Sequence, residues 1–325
     1  MSDYQLPFQM QLVERAALAV SEVAAGGESQ GILLIGPSGV GKTHALDLLA
    51  QRYGASTDGA QRVTPCIRLQ MSAKTSAAST SRAILLQLHR PLPTRRPPDN
   101  HEALAHDALR AQDTRLVIAE EYHNAMLADT SGMRKQNADY LKNLWNLPPS
   151  TSPHGWSGRA VDSSRHSLVI VASGIDALLR AFLSDSELRS RFGTVIEAPQ
   201  VGLYPPERFR DFRFVLRSMT ERYGLGDLIN ANDSTVAAQL LIACDSHLRV
   251  LSSLLERTAT LVKVRGVASG VSTLLAEAYL HRAMSSAAAT NPFEMSQEDL
   301  AKVIRQAQHD FKSGAIREGR RGRGS

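Results

Sequence analysis

Gly36-Pro37-Ser38-Gly39-Val40-Gly41-Lys42-Thr43 decides the reading of this chain. It has the form G-x-x-x-x-G-K-T of a phosphate-binding loop, or P-loop. Just before it, Gly31-Ile32-Leu33-Leu34-Ile35 is a short apolar run of the kind that forms a buried parallel strand. Just after it, Ala45, Leu46, Leu48, Leu49 and Ala50 fall at helical spacing between Thr43 and Arg52. Glycines let such a loop curl so that its N–H groups face phosphate oxygens, and the helix that follows adds its positive end. In this pattern Lys42 reaches the β- and γ-phosphates and the Thr43 hydroxyl ligates Mg²⁺. The alternative is a glycine-rich turn that binds nothing. The motif says nucleoside triphosphate; it does not say what the energy is used for.

The chain has 325 residues, enough for one large domain or two smaller ones. No apolar run is long enough to span a membrane. Met1 to Met10 is polar and mixed, without a signal-peptide pattern. Cys66 and Cys244 are the only cysteines and lack metal-ligand spacing. These features together lead us to expect a cytoplasmic protein. The formal charge of +5 favours an anionic partner weakly. Part of it lies in Arg317-Glu318-Gly319-Arg320-Arg321-Gly322-Arg323-Gly324, which we expect to be a disordered tail, either solvated or in contact with nucleic acid.

Strand and helix signals alternate up to about residue 200. Gln9–Val23 reads as an amphipathic helix. Pro65–Met71, Leu116–Ala119, Leu168–Ala172 and Thr194–Ile196 read as further strands. Helices are expected over Ser79–Leu88, His101–Ala111, Met133–Leu147 and Ile175–Leu183, with loops over Arg90–Asn100 and Pro148–His166. This alternation predicts a parallel sheet with helices on both faces. From Pro206 the pattern is helical, over 206–223, 235–244, 249–264, 271–284 and 297–311. The expected division is therefore 1–202 for the α/β part with its N-terminal helix, 203–285 for a smaller all-helical part, and 286–325 for a last helix and tail. Leu203-Tyr204-Pro205-Pro206 marks the change, because proline stops one element and starts the next.

A P-loop needs an acidic group near the metal and a residue that orients the attacking water. Leu116-Val117-Ile118-Ala119-Glu120-Glu121 offers both at the end of a buried strand. Glu120 is expected near Mg²⁺, through water, and Glu121 at the nucleophilic water. The alternative is a pair of solvated loop-start carboxylates. Arg191 precedes the last strand and suits a finger reaching a neighbouring subunit's γ-phosphate; the alternative is a surface arginine paired with Asp185 or Glu187. Arg189 is a weaker candidate for the same role. Arg249 starts a helix of the second part, where it either folds over the nucleotide or is simply exposed.

Taken together, these pieces resemble the AAA+ class of ATPases over most of residues 10–265, and within it the transposition regulators of the TnsC/TniB type. Glu120-Glu121-Tyr122-His123-Asn124 resembles that family's D-E-x-H-N, with Glu replacing Asp. Asp139–Leu147 resembles the helix that follows, and Ser173-Gly174-Ile175-Asp176-Ala177-Leu178 the sensor-1 segment. Asp185-Ser186-Glu187-Leu188 with Arg191-Phe192 resembles the arginine-finger segment, and Asn291-Pro292-Phe293 is similar to a C-terminal pattern. Ser246 stands where the second sensor usually has Gly. The resemblance implies an AAA+ α/β domain followed by a helical lid. It implies ATP and Mg²⁺ as cofactors, with Ser173 and Arg249 sensing the nucleotide. It also implies a ring or helical filament on double-stranded DNA, linking a TniQ-type target-selection protein to a transposase. Lys74 and Thr75, after the second strand, resemble the position from which related rings touch the DNA backbone. Arg82, Arg134 and Lys135 are further candidates, although each basic residue has a solvated surface position as its alternative reading. Such contacts give affinity without base readout.

Two other readings compete. A replication initiator or helicase loader predicts a base-reading module after the helical part; residues 266–311 offer two helices and no obvious recognition helix. A small-molecule P-loop kinase leaves the candidate finger and the helical part without purpose.

Overall fold

The structure is a computed structural model that describes residues 5–58, 61–72, 74–92, 100–147, 166–268, 270–281 and 290–321. Most of the loops expected over Arg90–Asn100 and Pro148–His166, and the tail beyond residue 321, lie outside the described residues. Two compact units divide the chain. The α/β unit holds Pro7–Pro37 and Lys42–Ala198; the helical unit holds Ser38–Gly41 and the chain from Pro199 onward.

The α/β unit begins with helix α1 (Pro7–Ala24) and strand β1 (Gln30–Ile35), followed by α2 (Lys42–Arg52). A short antiparallel hairpin follows, β2 (Ser56–Asp58) with β3 (Gln61–Val63). Then come β4 (Cys66–Gln70), α3 (Ala77–Gln87), α4 (Asn100–Ala111), β5 (Leu116–Glu120), α5 (His123–Met126) and α6 (Ser131–Trp145). The unit closes with β6 (Val169–Gly174), α7 (Asp176–Ser184), α8 (Ser186–Arg191) and β7 (Thr194–Glu197). The sheet order is β4-β5-β6-β1-β7, and every neighbouring pair is parallel. Residues 31–35 of β1 and all of β5 and β6 are buried, as strands covered on both faces must be. One face packs Leu33, Ile35, Val117 and Ile170 against Ile84, Leu109, Leu141 and Phe182. Each fully buried side chain of this size contributes about 1.5–3 kcal/mol.

Local chemistry sets the helix ends. Ser76 and Ser79 form a reciprocal capping box at α3. Thr130 caps α6 by accepting from the Met133 N–H, and Asp185 caps α8 by accepting from the N–H groups of Glu187 and Leu188. The register sets Ile35 beside Gly174 and Ala119 beside Ala172, so the carboxyl ends of β1, β5 and β6 open on one edge. Ligands of doubly wound sheets bind at that edge.

The helical unit contains α9 (Pro206–Arg222), α10 (Ser234–Ala243), α11 (Leu248–Arg265), α12 (Val271–Leu280), a short 3-10 turn (Pro292–Glu294) and α13 (Gln297–Arg321). Pro206 opens α9 in the first helical turn, where a missing N–H costs nothing. Phe212, Leu216, Leu240, Leu251, Leu255 and Leu274 are buried. Asn291 caps the short turn by accepting from the Phe293 N–H and also donates to the Ala276 carbonyl at 3.3 Å. The Asn-Pro-Phe pattern therefore docks the chain onto α12. Helix α13 runs on through Arg321, so the backbone of 317–321 is helical where a disordered tail was expected.

Glycine at position 31 is required by packing. A Cβ there would lie 2.6 Å from Cδ1 of Phe192, whose ring meets Phe182 edge-on at 4.7 Å. Gly31→Ala is expected to cost about 1–3 kcal/mol through overpacking. Thermal unfolding measures it, and an unchanged midpoint would contradict the packing of Phe192 over β1.

Candidate functional site

The P-loop joins β1 to α2. Gly39 and Gly41 have φ of +78° and +101°, a region that glycine enters without a steric penalty. A Cβ on Gly36 would lie 2.5 Å from the Ala198 carbonyl oxygen, so glycine is required there for close approach. Pro37 and Ser38 are exposed, whereas Val40 is buried and anchors the loop. Within the helical unit, the Leu248 N–H donates to the Gly39 carbonyl at 2.9 Å. Lys42 is buried and its Nζ donates to the carbonyls of Gly36 and Pro37, both at 2.8 Å. Burial lowers the Lys42 pKa, against the opposing charges of Glu121, Asp176 and Glu120. A buried ammonium whose direct partners are two neutral carbonyls can exchange them for phosphate oxygens, which are stronger partners for a cation.

Thr43 and Glu120 meet. Thr43 Oγ1 donates to Glu120 Oε1 at 2.5 Å, joining the start of α2 to the end of β5. Only 7% of the Glu120 side chain is exposed. A hydroxyl beside a carboxylate is a hard-oxygen pair that suits Mg²⁺, an ion that keeps several waters and takes further ligands from phosphate. No cluster of three or more His, Cys, Asp or Glu side chains suited to a metal exists among the described residues, so this pair fits a metal only in company with phosphate. The other Glu120 oxygen is taken by Arg68, with Nη2 at 2.5 Å and Nε at 3.0 Å, and Arg68 Nη1 also pairs with Asp47. The sequence reading had not singled out Arg68 or Asp47.

Glu121 stands just beyond the strand with φ of +54°, unusual for a residue with a side chain. Ser173 holds this geometry. Its buried hydroxyl is 3.4 Å from the Glu121 N–H and its carbonyl accepts from the Tyr122 N–H at 2.8 Å. The structure thus connects Ser173 to the backbone of Glu121. His123 Nδ1 lies 3.3 Å from Glu121 Oε2. His123 was written in the Glu-Glu-Tyr-His-Asn pattern, two places after Glu121, but its contact depends on the turn at Glu121.

The other candidates are dispersed. In the single chain Arg191 pairs with Glu187, donates to the Lys142 carbonyl at 3.2 Å and lies 5.7 Å over the Trp145 ring. Arg189 is exposed, and so is Arg249, in the first turn of α11. Ser246 has φ of +59°, so this serine adopts the left-handed backbone natural to glycine. Lys74, Arg82, Arg134 and Lys135 are exposed. Thr75 is buried instead of facing outward, and its hydroxyl accepts from the Ser72 N–H at 2.7 Å, closing the turn that carries Lys74. Asn137 donates to the Thr75 carbonyl at 3.0 Å and so ties this turn to α6, which bears Arg134 and Lys135.

A profile of the family described as Bacterial TniB protein matches residues 11–148, which contain the P-loop, Glu120, Glu121 and the Lys74 turn. Over those residues the chain is similar to the TniB family. No curated protein matches it in a sequence search. Among solved structures, the Aeropyrum pernix ORC2 protein in its ADPNP–ADP complexes is similar, with a TM-score of 0.62 and 14% identity. That match covers 89% of this chain and 71% of the other. The A. pernix ORC1 protein in complex with DNA matches with a TM-score of 0.58 and 14% identity, over 86% of this chain and 66% of that one. At such identity the likeness shows the fold: an AAA+ parallel sheet flanked by helices, followed in the chain by a smaller helical lid. Among the described residues no helix is long and apolar enough to cross a membrane.

Lys42→Ala removes the charge held at the loop and is expected to abolish tight ATP binding. Fluorescence titration with a labelled ATP analogue checks this, and wild-type affinity in the variant would overturn the P-loop assignment.

Proposed function

We propose that this chain is a TniB-type, ATP-dependent DNA-binding regulator that assembles on double-stranded DNA and links target selection to a transposase. The observation that carries the reading is the Thr43–Glu120 contact at the P-loop, inside the stretch that matches the TniB family. In this reading the P-loop backbone and Lys42 hold the ATP phosphates, and Thr43 and Glu120 hold Mg²⁺. When bound there, Mg²⁺ would supply positive charge toward the transferring phosphate. Glu121 orients the attacking water, set by Ser173 and flanked by His123. Hydrolysis is slow, because the longer Glu120 stands where the related motif has Asp. Ser173 and Arg249 respond to the nucleotide. Arg191 leaves Glu187 and Trp145 on assembly and meets the nucleotide of a neighbouring subunit. Copies of the chain form a ring or helical filament around DNA in the cytoplasm, between a TniQ-type protein and the transposase.

The exposed Lys74, Arg82, Arg134 and Lys135 support contacts to the DNA backbone, with Thr75 shaping the turn beneath Lys74. The likeness to a DNA-bound ORC1 protein favours a second reading, a replication initiator or helicase loader. It is a likeness of fold. A footprint confined to one sequence would favour the initiator, and assembly on unrelated duplexes the regulator.

Glu121→Gln is expected to keep ATP affinity while slowing turnover, so that ATP-bound assemblies persist on DNA in electron micrographs. Arg191→Ala is expected to lower ATPase activity without changing the affinity of the single chain for ATP. Arginine fingers are worth roughly 10³–10⁵ in rate. Mixing it with Lys42→Ala chains restores part of the activity if the finger acts in trans; no recovery at any ratio denies that role.

DNA binding is expected to weaken with salt, log K falling against log salt at a slope of about −0.9 per neutralised phosphate. Lys74→Ala is expected to make the slope shallower by about one unit and to weaken binding equally on unrelated duplexes. A salt slope near zero would contradict backbone tracking.

A further inference from the structure

Arg68 lies within the site, yet none of the roles above uses it. It sits on β4 opposite Ile118 of β5, two places before Glu120 along the neighbouring strand. Glu120 and Arg68 therefore share a sheet face, and the guanidinium reaches Glu120 Oε2 through Nη2 at 2.5 Å and Nε at 3.0 Å. Asp47, one turn after Thr43 on α2, takes Nη1. Both oxygens of Glu120 are thus engaged, Oε1 by the Thr43 hydroxyl and Oε2 by a permanent cation.

This bears on a divalent ion. A carboxylate attracts a metal through its negative charge, and a cation already bound to that carboxylate weakens the attraction. The effect grows as water is excluded, and here Glu120 is buried while Arg68 is partly exposed. Arginine keeps its charge at all working pH values and holds carboxylates more firmly than lysine does. The same charge also offsets the repulsion between nucleotide phosphates and the acidic edge formed by Asp47, Glu120 and Glu121.

We propose that Arg68 is a positioning residue that supplies part of the positive charge a metal otherwise brings to Glu120, so that nucleotide binding depends only weakly on Mg²⁺. The proposal rests on the nucleotide reading above. It assigns Arg68 two effects: it holds Glu120 so that one oxygen remains turned to Thr43, and it lowers the affinity of that oxygen for the metal.

The test is the ratio of affinities for a slowly hydrolysed, fluorescent ATP analogue in Mg²⁺ and in excess EDTA, measured on the full chain. For the wild type the ratio is expected to be small, roughly threefold or less, under a kcal/mol. Arg68→Gln keeps hydrogen-bonding capacity and removes the charge, and is expected to raise the ratio about tenfold or more. Arg68→Lys keeps the charge and is expected to stay near the wild type. Mn²⁺ titration followed by electron spin resonance, with nucleotide present, is expected to show tighter metal binding in Arg68→Gln. Asp47→Asn leaves the guanidinium to Glu120 alone, and its ratio is expected at or below the wild-type value. This variant keeps the test open if Arg68→Gln fails to fold. An unchanged ratio in a folded Arg68→Gln, or a raised ratio in Asp47→Asn, overturns the proposal. If that happens while Lys42→Ala abolishes binding, the nucleotide reading stands and only the role of Arg68 falls. Failure of the wild type to bind the analogue in either buffer overturns both.

Discussion

The hydrogen bond from Thr43 to Glu120 is the constraint on which the site depends. It connects the first turn of α2 with the last residue of β5, segments far apart in sequence. The bond forms only if β5 and β1 end at the same edge, which requires β6 between them in parallel register. Parallel register in turn requires crossover helices and a sheet buried on both faces. The apolar runs of β1, β5 and β6 supply that burial, so the polar contact at the edge rests on a dry core. Its energy is modest, because a hydrogen bond to a charged group contributes about 1.5–3 kcal/mol. Its importance is positional. It holds a hydroxyl and a carboxylate together where the phosphate cradle ends.

Beyond this bond the chain changes direction within one residue. Glu120 ends the strand facing Thr43 and Arg68, and Glu121 turns through a left-handed conformation. That conformation costs of order 1–3 kcal/mol for a residue with a side chain. Ser173 offsets it from the neighbouring strand, through its hydroxyl near the Glu121 N–H and its carbonyl on the Tyr122 N–H. Two adjacent carboxylates thereby acquire different surroundings. One is buried against a permanent cation; the other is partly exposed beside His123.

The parallel strands were legible because β1, β5 and β6 are short apolar runs and β4 alternates, and the observed limits differ from the expected ones by a residue or two. The hairpin Ser56–Asp58 with Gln61–Val63 was not legible. Its strands are very short and nearly all polar, so no alternation marks a buried face. The short helix α8 was missed for a similar reason: it spans few residues, and Leu188 is its one apolar side chain. At the site, the P-loop and both glutamates could be read from local pattern. Arg68 could not, because its partner is chosen by the register of β4 on β5, and register is not written in either strand alone. Thr75 shows the converse error. Its place in the sequence suggested an outward contact, but the turn needed a buried acceptor for the Ser72 N–H. Arg191 kept both of its readings: the pairing with Glu187 named as the alternative is present in the single chain, and a role in trans requires that pairing to open.

The same hydrogen-bond economy extends from the carboxylates to the basic turn. After Glu121, Asn124 donates to the Met71 carbonyl at 3.2 Å, and the Tyr122 hydroxyl donates to the Asn137 carbonyl at 2.8 Å. The buried Asn137 amide donates to Ala125 at 2.9 Å and to Thr75 at 3.0 Å. Segment 122–125 is therefore bonded to Met71, to α6 and, through Asn137, to the turn that carries Lys74. The bonds of Tyr122 and Asn137 are buried, and leaving one of those groups unpaired costs about 1–3 kcal/mol. Segment 122–125 cannot shift far without either carrying the Lys74 turn along or exposing those groups. Carrying the turn along is the cheaper course wherever it is free to follow, and Lys74 itself is exposed. The segment that follows Glu121 and the turn that carries Lys74 are thus joined through the buried side chain of Asn137.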